Sequence, residues 1–190
     1  MTTTTIETRD HPLGSRTLNS LALLGVSLSL AIAFYYQLAF GELPCPLCQL
    51  QRAGLMLIGL GFLLNVRFGI RSGHYGIVLL GALATGAISV RQMFLHIAPG
   101  TGVYGSPLLG LHFYTWAAIT AALTVLFVAV MLGLRSCEHP SSDSKTGWLG
   151  KLAIGVFVAL IAANLVSTLL ECGFGECAAD PQAYQWLSGH

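Results

Sequence analysis

Two pairs of cysteines carry the chemistry that can be read from this chain. The first is a C-x-x-C pair in Pro44-Cys45-Pro46-Leu47-Cys48-Gln49-Leu50-Gln51-Arg52, and the second closes Glu171-Cys172-Gly173-Phe174-Gly175-Glu176-Cys177. Thiol–disulfide exchange passes through a mixed disulfide, so two dithiols on one face of a molecule can hand on two electrons if one reaches the other. Pro46 suits the first position of a helix, where its missing N–H is no loss; that makes Cys45 the N-cap and puts Cys48 in the first turn. There the helix dipole and the free N–H groups favour a thiolate. Arg52 follows Cys48 by four residues, on the same helical face, and favours that anion further. The bland alternative is an arginine that snorkels to lipid headgroups beside an inert cysteine pair.

The elements that must position these residues are membrane helices. Of 190 residues, 54% are hydrophobic and 9% charged, too little polar surface to solvate a soluble domain of this size. Five apolar runs are present, about Asn19 to Phe40, Cys48 to Val66, Gly76 to Ala98, Thr115 to Leu134 and Leu152 to Leu170, each near the ~20 residues that cross a hydrocarbon core. They are continuously apolar, unlike the alternating strands of a membrane barrel. The first run is too long for a signal h-region and meets Gly41-Glu42-Leu43-Pro44 rather than a small-residue cleavage site, so it counts as a helix. The expected fold is an all-α membrane protein, a four-helix transmembrane bundle plus a fifth transmembrane helix.

Lysine and arginine placement sets the orientation. Arg9, Arg16, Arg67, Arg71, Arg135, Lys145 and Lys151 fall on one side of a five-helix count, whereas Arg52 and Arg91 lie inside apolar runs. The positive-inside rule then puts the N-terminus in the cytoplasm and the C-terminus in the periplasm. Four organisational segments follow: a cytoplasmic tail over 1–18, a four-helix core over 19–134, a cytoplasmic linker over 135–151, and the fifth helix with a periplasmic tail over 152–190. Cys137 is on the reducing side and reads as a bystander, and Gly54, Gly61, Ala82 and Gly86 read as helix-packing positions.

Further candidates lie on the outer side. Arg91, Gln92 and His96 stand within about two turns of the outer end of the third helix, where polar groups face a cavity or one another. His112, in the Gly- and Pro-rich outer loop, is a weaker candidate. Phe34-Tyr35-Tyr36-Gln37 reads as an interfacial belt, and Tyr184 and Trp186 as anchors that hold the tail at the interface and leave the second cysteine pair accessible. A small disulfide loop from Cys172 to Cys177 is of the kind more often labile than structural.

A relay also needs an electron sink. Without a metal, haem or nucleotide motif, the sink is a lipid-soluble two-electron acceptor entering from the bilayer; a quinone fits, with Arg52 stabilising its developing negative charge. The chain here resembles the DsbB family of quinone-dependent membrane disulfide oxidases. The resemblance rests on Pro44-Cys45-Pro46-Leu47-Cys48, on Arg52, and on Arg91-Gln92, and spans roughly residues 19 to 134. It implies a bundle in which Cys45 and Cys48 are reoxidised by quinone (ubiquinone or menaquinone), with Cys48 paired to the ring, Arg52 helping to hold it, and Arg91, Gln92 and His96 as further acceptor-binding candidates. It also implies a multi-pass protein of the bacterial inner membrane with a periplasmic active site, partnered by a DsbA-like thioredoxin-fold protein, the quinone pool and the lipid bilayer, with no nucleic acid. In the best-known members the second pair lies between helices three and four, whereas here it follows the fifth helix. Two alternatives stand beside this reading. One is a vitamin K epoxide reductase-like enzyme, which also combines a helical bundle with C-x-x-C, and the other a four-cysteine metal-binding membrane protein.

Overall fold

The computed structural model describes residues 14–97, 100, 102, 104–135, 146–178 and 181–187. The N-terminal tail as far as residue 13, Pro99, Cys137, Lys145 and the body of the polar linker lie outside the described residues. Five helices run through the rest: α1 (Ser15–Ala39), α2 (Pro46–Phe68), α3 (Ser72–Leu95), α4 (Phe113–Arg135) and α5 (Trp148–Cys172). All five are long and apolar enough to cross a membrane, and the chain is an all-α membrane protein. Among the described residues, extended backbone pairs only at the isolated bridge between Leu108 and Leu111.

Three helices begin a turn earlier than the sequence expectation, α3 at Ser72 rather than Gly76 among them. Residues 15–18, assigned above to the tail, are the first turn of α1, and residues 148–151, assigned to the linker, are the first turn of α5. Hydropathy marks the part of a helix that meets hydrocarbon, but the backbone ladder continues into the polar zone wherever side chains support it. Asn19 donates to the Ser15 carbonyl and Ser20 to that of Arg16, and Leu18 packs against the core.

The helices pack in the order α4–α3–α2–α1–α5, with α1 and α4 meeting only marginally. Close approach of α2 and α3 depends on small residues: a Cβ at Gly81 would come within 2.7 Å of the Ile58 nitrogen, and one at Gly61 within 2.8 Å of the His74 carbonyl oxygen. Such contacts are how membrane helices gain packing energy without a hydrophobic driving force. The core between α1, α2, α3 and α5 contains Leu23, Leu30, Ile58, Phe62, Val78 and Phe157, all essentially inaccessible. On the other side of α2, the Phe157 ring of α5 lies over Gly59, where a Cβ would collide with it.

Because neighbouring helices alternate in direction, the end of α1, the start of α2, the end of α3, the start of α4 and the end of α5 gather at one end of the bundle. Both cysteine pairs are there. At the opposite end, Asn65 donates to Asn19, Asn19 bonds Tyr75, and the Asn65 oxygen accepts from the Arg71 backbone N–H, tying α1, α2 and α3 together.

Candidate redox site

The start of α2 follows from its sequence. Cys45 is the N-cap in extended conformation, Pro46 takes the first helical position, and the Cys45 sulfur accepts from the Cys48 backbone N–H at 3.1 Å. Cys45 and Cys48 form a disulfide. Gln92, 1% exposed on α3, points its amide at that bond, with Nε2 3.5 Å from the Cys45 sulfur and 3.6 Å from that of Cys48. Gln51 fixes this orientation by donating to Gln92 Oε1 at 2.9 Å. Two donors, the Cys48 backbone N–H and the Gln92 side-chain amide shared by both sulfurs, thus converge where negative charge develops when the disulfide opens.

Arg52 is buried, one turn further along α2, and is satisfied by neutral oxygens. Its guanidinium donates to Gln37 Oε1 at 2.7 Å, to the Ala33 carbonyl at 3.1 Å and to Asn164 Oδ1 at 3.4 Å, and it lies over the Phe34 ring. Gln37 is in turn held by Ser167 at 2.7 Å and Tyr184 at 3.0 Å. Gln37 therefore departs from the interfacial belt expected of it: it is 2% exposed, because a buried guanidinium demands hydrogen-bond acceptors.

A cavity of about 380 Å³ opens beside this cluster. Its floor is polar, with Cys48, Gln51, Arg52 and Gln92, and its walls are apolar side chains of α1 and α4, among them Ile32, Phe113 and Leu123. The loop before α4 forms its outer rim. Tyr104 donates to the Leu43 carbonyl at 2.6 Å, and Ser106 bonds the Glu42 carboxylate through both its backbone N–H and its hydroxyl. Cys48 lines the cavity; Cys45, 7% exposed, does not.

The second pair ends α5. Cys172 is the last residue of that helix, buried, and bonded to the half-buried Cys177. The tail folds back over it: the Gln185 and Trp186 N–H groups donate to the carbonyls of Glu171 and Leu170, and the Trp186 ring covers Gly173 and meets Phe174 edge-on. Cys172 is therefore less accessible than the sequence suggested, since Tyr184 and Trp186 anchor the tail on the helix end itself. Glu171 accepts from Gln49, the residue after Cys48, at 3.0 Å, which brings the two pairs to one level.

Of the residues singled out in the sequence, Cys45, Cys48, Arg52 and Gln92 converge. Arg91 is exposed, one position and so ~100° round α3 from Gln92. His96 donates through Nδ1 to the Gly102 carbonyl and stacks on Tyr114, which also stacks on His112; neither histidine lines the cavity. Sequence reasoning missed Gln37, Gln51, Asn164, Ser167 and Glu171. The last three recur at spacings of three and four along α5, a polar stripe on an otherwise apolar span.

A family model described as disulfide bond formation protein DsbB matches residues 15–104, which hold α1 to α3 and the first cysteine pair but neither α5 nor the second pair. Disulfide bond formation protein B of Marinobacter nauticus is 41% identical over 93 residues, 47% of this chain and 55% of that protein. The protein of the same name from Chromobacterium violaceum is 35% identical over 79 residues, covering 40% and 48% respectively. The chain thus spans about half the length of these two relatives. Disulfide bond formation protein B 1 of Pseudomonas fluorescens is 30% identical over 144 residues, 57% of this chain and 85% of that protein. No solved structure matches the chain. With a helical membrane bundle, a disulfide at the start of its second helix and these relatives, the chain belongs to the DsbB family of disulfide bond formation proteins.

Proposed function

We propose that this chain is a membrane thiol–disulfide oxidase that passes two electrons from a reduced DsbA-like thioredoxin-fold protein to Cys172–Cys177, then to Cys45–Cys48, then to a quinone. The N-terminus and the linker before α5 are then cytoplasmic, and both disulfides face the periplasm of a bacterial inner membrane. The observation that carries this reading is the Cys45–Cys48 disulfide at a helix N-terminus, with Cys48 at the polar floor of an apolar cavity.

The cavity fits a quinone. Its volume is in the ordinary range for a small-molecule site, its walls are apolar, and its floor offers the Arg52 guanidinium and the Gln51 and Gln92 amides. Those three residues, with Cys48, would hold the head group. A quinone bound there supplies a sink for two electrons and two protons. The chain's own residues do the rest. When a thiolate of the second pair attacks Cys45, the sulfur that leaves is Cys48, in the first turn of α2 with its dipole, near Gln92 and on the Arg52 face. The marginal contact between α1 and α4 offers a lateral way in from the bilayer. Pairing of the four cysteines in two disulfides supports the relay over the metal-binding alternative, which needs all four sulfurs reduced at once.

Purified protein given a dithiol substrate is expected to reduce a soluble quinone analogue, followed by quinone absorbance, and Cys48→Ser is expected to abolish this. Turnover retained in that variant would sink the mechanism.

A further inference from the structure

One buried ionisable group is left unused by that mechanism. Glu171, in the last turn of α5, is 2% exposed. Its Oε2 accepts from Gln49, whose own oxygen accepts from Thr168 at 3.2 Å. Its Oε1 is buried and has no hydrogen-bond partner among the described residues. A carboxyl group with an open lone pair in a membrane bundle is costly to keep and points to use. It is linked to both pairs along the chain, as the residue before Cys172 and, through the Gln49 hydrogen bond, to the residue after Cys48. Arg52 of α2 is within electrostatic range of it, and Tyr184 of the tail within range of Arg52. Gln37 of α1, which bonds both Arg52 and Tyr184, is uncharged, and Glu176 of the disulfide loop is exposed. Cys172 and Cys45 are both buried, so a proton released in exchange between them has no direct path to solvent.

Resting on the relay proposed above, we propose that Glu171 is the proton acceptor for exchange between the two cysteine pairs. With the second pair reduced, the Glu171 carboxylate takes the proton of the Cys172 thiol. The Cys172 thiolate attacks Cys45; a Cys172–Cys45 bond forms, the Cys45–Cys48 bond breaks, and Cys48 leaves as a thiolate. Cys177, the more exposed of its pair, loses its proton to solvent and attacks Cys172, which restores Cys172–Cys177 and releases Cys45 as a thiolate. The second pair is oxidised by two electrons and the first reduced by two. One proton rests on Glu171 and one is in solvent, balancing the two thiolates.

The test uses the full chain in detergent without quinone, mixed with dithiothreitol, acid-quenched at intervals and mapped pair by pair by mass spectrometry, with the direct route to Cys45–Cys48 measured in the Cys172→Ser/Cys177→Ser double variant, which lacks the attacking thiol, and subtracted. Glu171→Gln is expected to leave reduction of Cys172–Cys177 unchanged but to slow reduction of Cys45–Cys48 by about tenfold or more. That deficit shrinks between about pH 7 and about pH 9, as the thiol ionises unaided. Glu171→Asp, which keeps the carboxylate, recovers part of the rate. Transfer at the wild-type rate in Glu171→Gln overturns the proposal, as does a deficit that is constant with pH, which is what loss of the Gln49 anchor alone would give. Wild-type protein whose Cys45–Cys48 bond stays oxidised while Cys172–Cys177 is reduced overturns the relay itself, a result distinct from either.

Discussion

The two disulfides end helices of opposite polarity at one end of the bundle. Cys45–Cys48 opens α2, where backbone N–H groups point outward and Gln92 and Arg52 add donors and charge. Cys172–Cys177 closes α5, where carbonyl groups point outward and the neighbouring side chain is the carboxyl of Glu171, with no basic residue in the last turn. A helix N-terminus stabilises a thiolate and a C-terminus disfavours one. A dithiol whose reduced form is stabilised belongs to the more oxidising disulfide. The difference in helix end supports the direction proposed for the relay, from the tail pair to the α2 pair.

The most severe way to break this comparison is to remove one pair from the path. Cys177→Ser is expected to abolish oxidation of a thioredoxin-fold substrate while a small dithiol, able to reach Cys45–Cys48 directly, still drives quinone reduction; equal loss of both in a paired turnover assay would deny the second pair its role as entry. Next comes Arg52→Met. Loss of one preorganised cation at a developing charge costs on the order of 10²-fold, so kcat/KM for a quinone analogue is expected to fall by about that much. In the same variant, dithiothreitol should reduce Cys172–Cys177 at the wild-type rate. A smaller effect is the difference in potential itself. Redox titration with pair-resolved mass mapping is expected to put Cys45–Cys48 some tens of millivolts above Cys172–Cys177, given that about 30 mV corresponds to ~1.4 kcal/mol for two electrons; the reverse order would break the polarity argument.

How legible each region was in the sequence follows from how local its causes are. The start of α2 could be read directly, because N-cap, Pro46 and first-turn cysteine are neighbours whose roles follow from helix geometry alone. The five spans were legible from hydropathy, although α1, α3 and α5 each begin a turn earlier than their apolar runs. The surroundings of Arg52 were not legible. Its acceptors come from α1 and α5, and the tail joins them through Tyr184, so no window around residue 52 contains them. The demand for polar partners was visible, but not their identity. A weaker signal was present in α5, where Asn164, Ser167 and Glu171 lie on one face. Arg91 and Gln92 show the opposite limit: adjacent in the chain and alike in polarity, they are separated by the ~100° rotation per residue that puts only Gln92 on the disulfide.

The mildest intervention acts on packing, and it can be aimed at either side of α2. Gly59 faces α5 and is covered by the Phe157 ring, while Gly81 of α3 faces α2 and touches the backbone at Ile58. Overpacking either contact costs about 1–3 kcal/mol, but the two should affect different disulfides. Gly59→Val pushes Phe157 away and loosens α5, so oxidation of the protein substrate is expected to fall about threefold to tenfold while quinone reduction by a small dithiol stays within about twofold. Gly81→Ala separates α3 from α2, and with it the Gln92 amide from the two sulfurs. Both activities should then fall together, because in the proposed relay every electron passes Cys45–Cys48. Identical activity profiles for the two variants would mean that the bundle responds as one unit, and that the separation of an α5 entry pair from an α2 exit pair is not built into its packing.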